Sequence, residues 1–247
     1  MRRLFPTAGE IEPADAYGRL APVAGRAAVR LNMIASVDGA TALGGRSGAL
    51  GGAADKAVFA VLRSLTDAIL VGAGTVRAER YGPVRLSDEA KARRAHLGLA
   101  AVPPIAVVTR SCRLDWESTM FTEPGQRPIV VTTASASTAD RGRAAEVADV
   151  VVAGDADVDL GRTLTELGER GHVDLLCEGG PGIAAQLASG GLLDEVCLTV
   201  SPLLVGGASR RILDGTAFEP PPRLLVEDVL EADGYLFLHY GRGEATA

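Results

Sequence analysis

Short runs of apolar residues alternate along the chain with stretches whose apolar positions recur at helical spacing. Val29 to Val37, Ala68 to Gly72, Ile105 to Thr109, Ile129 to Thr133, Val150 to Val152, Val173 to Cys177 and Glu195 to Val200 are of strand length. Most are rich in Val, Ile and Leu, as strands covered on both faces are. Between them, Ala53 to Leu65, Ala139 to Val147, Leu160 to Arg170 and Pro181 to Ser189 read as helices, so crossover connections and a largely parallel sheet are expected. The end of the chain changes rhythm. Leu224 to Glu231 and Tyr235 to Tyr240 flank the turn signal Ala232-Asp233-Gly234 and predict an antiparallel hairpin. The expected fold is α/β, a mixed sheet of about nine strands with helices on both faces and that hairpin at one edge. Residues 1–27 are rich in Pro, Ala and Gly without a period. They are expected to form an extension, lying over the domain or partly mobile, with residues 28–247 as the folded unit.

Composition narrows the function. With 247 residues, 47% of them of the hydrophobic class, the chain can bury a large core without disulfides or structural metals. A formal net charge of −6 and the absence of any Lys/Arg stripe argue against nucleic acid as a partner. No apolar stretch reaches the roughly 20 residues of a membrane-spanning helix, and the start of the chain meets Glu10, Glu12 and Asp15 before any apolar core. Neither signal peptide nor anchor is expected. Cys112, Cys177 and Cys197 are odd in number and widely spaced, which predicts free thiols in a reducing cytoplasm and no zinc site.

Four segments carry candidate chemistry. In the strand Asn32-Met33-Ile34-Ala35-Ser36-Val37-Asp38-Gly39, alternation puts Asn32, Ile34, Ser36 and Asp38 on one face. An amide, a hydroxyl and a carboxylate in a row need water, partners or a ligand. Asp38-Gly39 is otherwise a simple turn. The segment Asp67 to Val76 is a strand running into Gly72 and Gly74 and then Thr75, a hydroxyl residue suited to begin a helix, a junction that frees backbone N–H groups for a phosphate. It is not the dinucleotide fingerprint, whose third glycine would fall at Arg77. In Asp174 to Gly182 a buried strand ends in Glu178, followed by Gly179 and Gly180 and then Pro181 at the first helical position. Glycines admit a ligand close to the backbone and the helix start favours a pyrophosphate. Glu178 either accepts backbone hydrogen bonds there or faces a reacting ring as a charge or proton relay. Finally, Thr109, Arg110 and Ser111 end another strand, either as a clamp for a phosphate monoester or as solvated surface. His96, His172 and His239 show no partner pattern, and the Gly-x-Ser-x-Gly signature is absent, which disfavours histidine relays and hydrolase chemistry.

Taken together, Ala35-Ser36-Val37-Asp38-Gly39, Asp67 to Thr75, Glu178-Gly179-Gly180-Pro181, Leu193-Asp194-Glu195 and Pro202 to Gly207 resemble the C-terminal reductase domain of the RibD family, over residues 29 to about 240. The resemblance implies a dihydrofolate-reductase-like fold, NADPH as hydride donor, a homodimer, and reduction of the ribosyl group of 5-amino-6-(5-phosphoribosylamino)uracil to a ribityl chain. It further implies that Gly179, Gly180, Pro181, Gly182 and Ile183 hold the cofactor pyrophosphate, with Gly74 and Thr75 nearby. Thr109, Arg110 and Ser111 would surround the 2′-phosphate. Asp38 and Glu178 would be catalytic, flanking a substrate that also meets Asn32, Ser36, Tyr81 and Arg85.

The chain departs from the family on the substrate side. The deaminase half is missing, with no His-x-Glu and later Pro-Cys-x-x-Cys. Asn32 stands where the riboflavin enzymes typically carry Lys, and Glu79-Arg80-Tyr81-Gly82-Pro83 replaces their Asp-Asn-Pro ahead of Arg85. Two other functions therefore stand beside the pyrimidine reductase: a dihydrofolate-reductase-type enzyme acting on a pterin or folate, and a non-catalytic NADPH-binding protein.

Overall fold

The computed structural model describes residues 1–243. Its strands are β1 (Arg2–Phe5), β2 (Gly9–Glu10), β3 (Ala28–Ser36), β4 (Ala68–Gly72), β5 (Ile105–Val108), β6 (Ile129–Thr132), β7 (Asp149–Val152), β8 (Asp174–Cys177), β9 (Glu195–Ser201), β10 (Leu224–Ala232) and β11 (Tyr235–Arg242). The helices are α1 (Pro13–Ala16), α2 (Ala53–Leu65), α3 (Ala73–Glu79), α4 (Asp88–His96), α5 (Thr119–Thr122), α6 (Thr138–Val147), α7 (Leu160–Glu169) and α8 (Pro181–Ser189). The chain divides into two compact units, one of Met1–Leu20, Val29–Leu62 and Cys177 onward, the other of Ala21–Ala28 and Arg63–Leu176.

In the first unit the strand order is β2-β1-β10-β11-β9-β3. β10 and β11 form the expected hairpin, β11 runs antiparallel to β9, and β9 runs parallel to β3 with Asn32 opposite Cys197 and Ile34 opposite Thr199. One sheet face buries Phe237 and Leu230 with Thr199 and Ser201. The eleven strands exceed the nine read from the sequence by β1 and β2, which lie in the segment expected to be an extension. β1 pairs with β10, and Arg3 reaches Asp228 at 2.7 Å. Their separation of 225 residues leaves no trace in local periodicity. Tyr17, just past α1, is buried with its ring 5.5 Å from that of His239. The first twenty residues thus pack within this unit.

In the second unit β4, β5, β6 and β7 form a parallel ladder. All five residues of β4 are buried, as are all four of β5 and β6, which is the burial pattern expected of parallel strands covered on both faces. Ile69, Val71, Val107 and Val130 build the core with Met120 and Phe121. Two of its helices, α4 and α5, were not read from the sequence. In α4 the run Asp88-Glu89-Ala90-Lys91-Ala92-Arg93-Arg94-Ala95-His96 is too polar to show an apolar stripe, and what fixes it is the cap, Ser87 accepting from the Ala90 N–H. Arg94 on its inner side is only 1% exposed and donates to the carbonyls of Ala100 and Thr66. No helix among the described residues is long and apolar enough to cross a membrane, and the three cysteines are free and buried.

Candidate active site

The expected site residues fall into both units. Asn32, Ser36, Asp38, Glu178, Gly179, Gly180, Pro181, Gly182 and Ile183 belong to the first, and Gly74, Thr75, Tyr81, Arg85, Thr109, Arg110 and Ser111 to the second.

In the first unit, the end of β3 is a tight hydrogen-bonded corner. The Ser36 hydroxyl donates to Asp38 Oδ1 at 2.5 Å and accepts from the Ala40 N–H at 2.9 Å. Asp38 in turn accepts from the N–H groups of Val205, at 3.1 Å, and Gly206, at 2.7 Å. The Ser36 hydroxyl, then the Gly206 and Val205 N–H groups, hold its carboxyl down at about 2. Asp38-Gly39 forms the turn, and the Asp38 carboxylate ties it to the Pro202 to Gly207 loop. Asn32 is half-buried on the same strand.

Also in this unit, the chain leaving β8 reaches Glu178, which is 7% exposed. Gly179 has a φ of +86° and the Gly179–Gly180 peptide is cis. A Cβ at Gly179 would lie 3.1 Å from the flexible Met33 side chain at Sδ, and the positive φ is what favours glycine here. Gly180 is the N-cap of α8 and Pro181 its first residue. The first intrahelical bond runs from Ala184 N–H to the Gly180 carbonyl, so the N–H groups of Gly182 and Ile183 precede it and point out of the helix start. Nothing lies within 4 Å of a Cβ built on Gly182. The loop after β9 returns here, with Asp214 N–H donating to the Pro181 carbonyl at 3.1 Å.

In the second unit, α3 starts directly at the end of β4 with Gly72 as its N-cap. Gly74 and Thr75 therefore lie within the first turn, where the sequence reading had Thr75 opening the helix. A Cβ on Gly74 would also meet open space. Tyr81 packs against the hydrophobic core, beneath the Arg63 guanidinium at 5.9 Å, and Arg85 is exposed between buried Val84 and Leu86. Thr109 is buried and its N–H donates to the Val131 carbonyl. Arg110 is exposed and pairs with Asp157 at 3.3 Å, while Ser111 is exposed beside it.

Two constellations escaped the sequence reading. His239, judged there to lack a partner, has Nε2 2.8 Å from Glu195 Oε2 and 3.4 Å from Glu227 Oε2. Arg30, 3% exposed, holds the same Glu195 oxygen at 2.6 Å. These residues sit on separate strands, so only their register, Arg30 opposite Glu195 and His239 opposite Cys197, brings them together. The second is Asp55, half-buried in the first turn of α2 and hydrogen-bonded to the Thr199 hydroxyl. An acidic residue at a helix start is so common that sequence gives it no special mark.

Comparison with known proteins fits this fold. A structure described as a pyrimidine reductase-like protein from Corynebacterium diphtheriae superposes with a TM-score of 0.81 at 26% identity, over 94% of this chain and 99% of the other. Two curated proteins named 2,5-diamino-6-ribosylamino-4(3H)-pyrimidinone 5′-phosphate reductase are also similar. That of Archaeoglobus fulgidus is 30% identical over 64% of this chain and 72% of its own length. That of Methanothermobacter thermautotrophicus is 29% identical over 77% and 85%. An α/β oxidoreductase of the pyrimidine reductase type is thereby defined. The chain belongs to the RibD C-terminal domain family, whose profile matches residues 27–233, and with it to the enzymes of riboflavin biosynthesis.

Proposed function

We propose that this chain reduces the ribosyl group of a 6-ribosylaminopyrimidine 5′-phosphate to a ribityl chain, with NADPH as donor. The acceptor class includes 5-amino-6-(5-phosphoribosylamino)uracil, the form chosen from the sequence, and its 2-amino counterpart, named for the archaeal relatives. The observation that carries the reading is the start of α8, where the N–H groups of Gly182 and Ile183 lie in the first turn beside an uncovered Gly182. An anion is stabilised by such groups and by the helix dipole. The cofactor supplies the hydride when bound. Gly179, Gly180, Pro181, Gly182 and Ile183 hold its pyrophosphate, Gly74 and Thr75 offer a second helix start, and Thr109, Arg110 and Ser111 bind the 2′-phosphate.

On the substrate side, opening of the ribosylamine ring gives an imine whose C1′ accepts the hydride while nitrogen takes a proton. Glu178, enclosed at the end of β8, serves as the proton relay or charge for that step. Asp38 shapes the rim through its hold on Val205 and Gly206, with Asn32 and Ser36 on the same face and Tyr81 and Arg85 as further contacts. The test is NADPH oxidation by the purified protein with either ribosylaminopyrimidine, and with dihydrofolate as the competing acceptor. Turnover of dihydrofolate alone would replace this reading, and NADPH binding without any turnover would support the non-catalytic one.

We further propose a cytoplasmic homodimer. The sheet face of Leu198, Val200, Leu236 and Leu238, joined by Val229 and Phe5, is apolar and partly open, with Leu236 37% and Phe5 42% exposed. Such a patch suits a two-fold partner. Leu236→Lys is expected to shift the protein from dimer to monomer in sedimentation, and a monomeric unmodified protein would refute it.

A further inference from the structure

The chain entering α2 and its first turn are held by three hydrogen bonds. The Ser201 hydroxyl donates to the Leu50 carbonyl at 2.8 Å, and the Tyr235 hydroxyl to the same carbonyl at 3.2 Å. Two residues before Ser201 on β9, the buried Thr199 hydroxyl hydrogen-bonds Asp55. A Cβ at Gly51 would stand 2.5 Å from Asp55 Oδ2, so it is glycine there that lets the carboxylate fold back over the loop. Thr199 is opposite Ile34, and Asn32 lies two residues earlier on the same face of β3. Both Asn32 and Ile34 are incompletely covered. A carboxylate, an amide and an apolar side chain thus share one partly open patch of the first unit, beside the Ser36 corner. Burial pushes the Asp55 carboxyl up from its ordinary value, against the Thr199 hydrogen bond and the charge of Lys56. One hydroxyl fills only one of roughly four acceptor positions on a carboxylate, so a ligand with paired donors would complete it.

Resting on the reading of this chain as a ribosylaminopyrimidine reductase, we propose that Asp55 reads the pyrimidine edge and selects the 2-amino-4-oxo ring over the 2,4-dioxo ring. The 2-amino ring presents two N–H donors side by side, from the 2-amino group and N3, which match the two oxygens of a carboxylate. The uracil ring puts the C2 carbonyl in place of the amino donor, and that oxygen faces a carboxylate oxygen with no proton between them. Good bidentate recognition is worth on the order of 10- to 100-fold in discrimination. Ile34 supplies the apolar wall for the ring and Asn32 a neutral partner at its margin.

The experiment compares kcat/KM with NADPH for the 2-amino and the uracil ribosylaminopyrimidine phosphates, in the unmodified protein and in Asp55→Asn. The unmodified protein is expected to favour the 2-amino ring by about 10-fold or more. Asp55→Asn keeps the shape but pairs an acceptor with a donor, which fits the N3–H and C2 carbonyl of uracil, so the preference should collapse or reverse. Melting curves of both proteins accompany the assay. Should Asp55→Asn not fold, the ratio in the unmodified protein still decides. Equal efficiency or a preference for uracil overturns the role of Asp55 while the reductase reading stands, as does an unchanged ratio in a folded Asp55→Asn. No turnover of either ring removes the reductase reading and this proposal with it.

Discussion

Asp38 Oδ2 accepts the Gly206 N–H at 2.7 Å and thereby fastens the loop after β9 to the end of β3. Because Ser36, Gly206 and Val205 all donate to it, its carboxyl is held at about 2, below the unfolded value near ~3.9. A depressed carboxylate contributes stability that is full above the unfolded pKa and disappears as pH falls through the folded one. The corner should therefore stay intact down to about pH 4 and open between there and about pH 2. Asp38→Asn removes the charge and one acceptor at every pH. Faster amide exchange across Val205 to Arg210 and a raised KM are expected, with little change in melting; unchanged exchange there would show that the loop is held by other contacts.

Arg110 and Asp157 make an exposed pair, 72% and 82% accessible, so the pair contributes little to stability and is readily exchanged for a stronger anion. If Arg110 binds the 2′-phosphate, Arg110→Ala should narrow the preference for NADPH over NADH, since a charge-assisted contact is worth about 1.5–3 kcal/mol. Asp157→Asn should have the opposite sign and tighten NADPH severalfold by removing the competing carboxylate. Calorimetric titration with both cofactors checks the two variants. Equal binding of NADPH and NADH by the unmodified protein would remove Arg110 from the site.

What was legible in the sequence follows the range of the interaction. The apolar runs of β4, β5 and β6 declare themselves because every residue in them is buried, and Gly179-Gly180-Pro181 marks a helix start by residue type alone. β1 stayed hidden because its partner β10 lies at the far end of the chain, and α4 because its helix rests on a cap and a buried arginine instead of an apolar stripe. In the site, the Ser36–Asp38 row was legible from alternation, but its partners Val205 and Gly206 come from a distant loop. Asp55 and His239 acquire meaning only through Thr199 and Glu195 on β9, and register of that kind is set by the whole sheet.

Arg30 is the support of a largely enclosed charge cluster. Its guanidinium contacts Glu195 Oε2 at 2.6 Å and the Gly18 carbonyl at 2.9 Å. Burial raises the Glu195 carboxyl, but the His239 hydrogen bond and the charge of Arg30 outweigh it, and the net direction is down. Arg30→Met should cost about 3–5 kcal/mol, because it strips a mostly buried carboxylate of its cation. The loss should be largest near neutral pH and shrink in acid, since the contribution of a lowered carboxylate vanishes as pH falls through its folded pKa. Urea melts at several pH values check this, and a variant as stable as the unmodified protein would mean that His239 alone suffices for Glu195.

Gly182 separates cofactor binding from folding. It lies in the first turn of α8, its φ is not in the left-handed region, and a Cβ there would meet no atom within 4 Å. The protein itself therefore has no steric need for glycine at this position. On helix propensity alone Gly182→Ala should stabilise the fold by up to about 1 kcal/mol. A pyrophosphate seated on the Gly182 and Ile183 N–H groups would, in contrast, meet the added methyl group at contact distance. The expected outcome is a melting temperature equal to or above that of the unmodified protein, together with clearly weaker NADPH binding and a raised KM for NADPH. Gly182→Val should enlarge the binding defect while β-branching gives back part of the stability. A folded Gly182→Ala protein that binds NADPH with unchanged affinity would move the pyrophosphate away from α8.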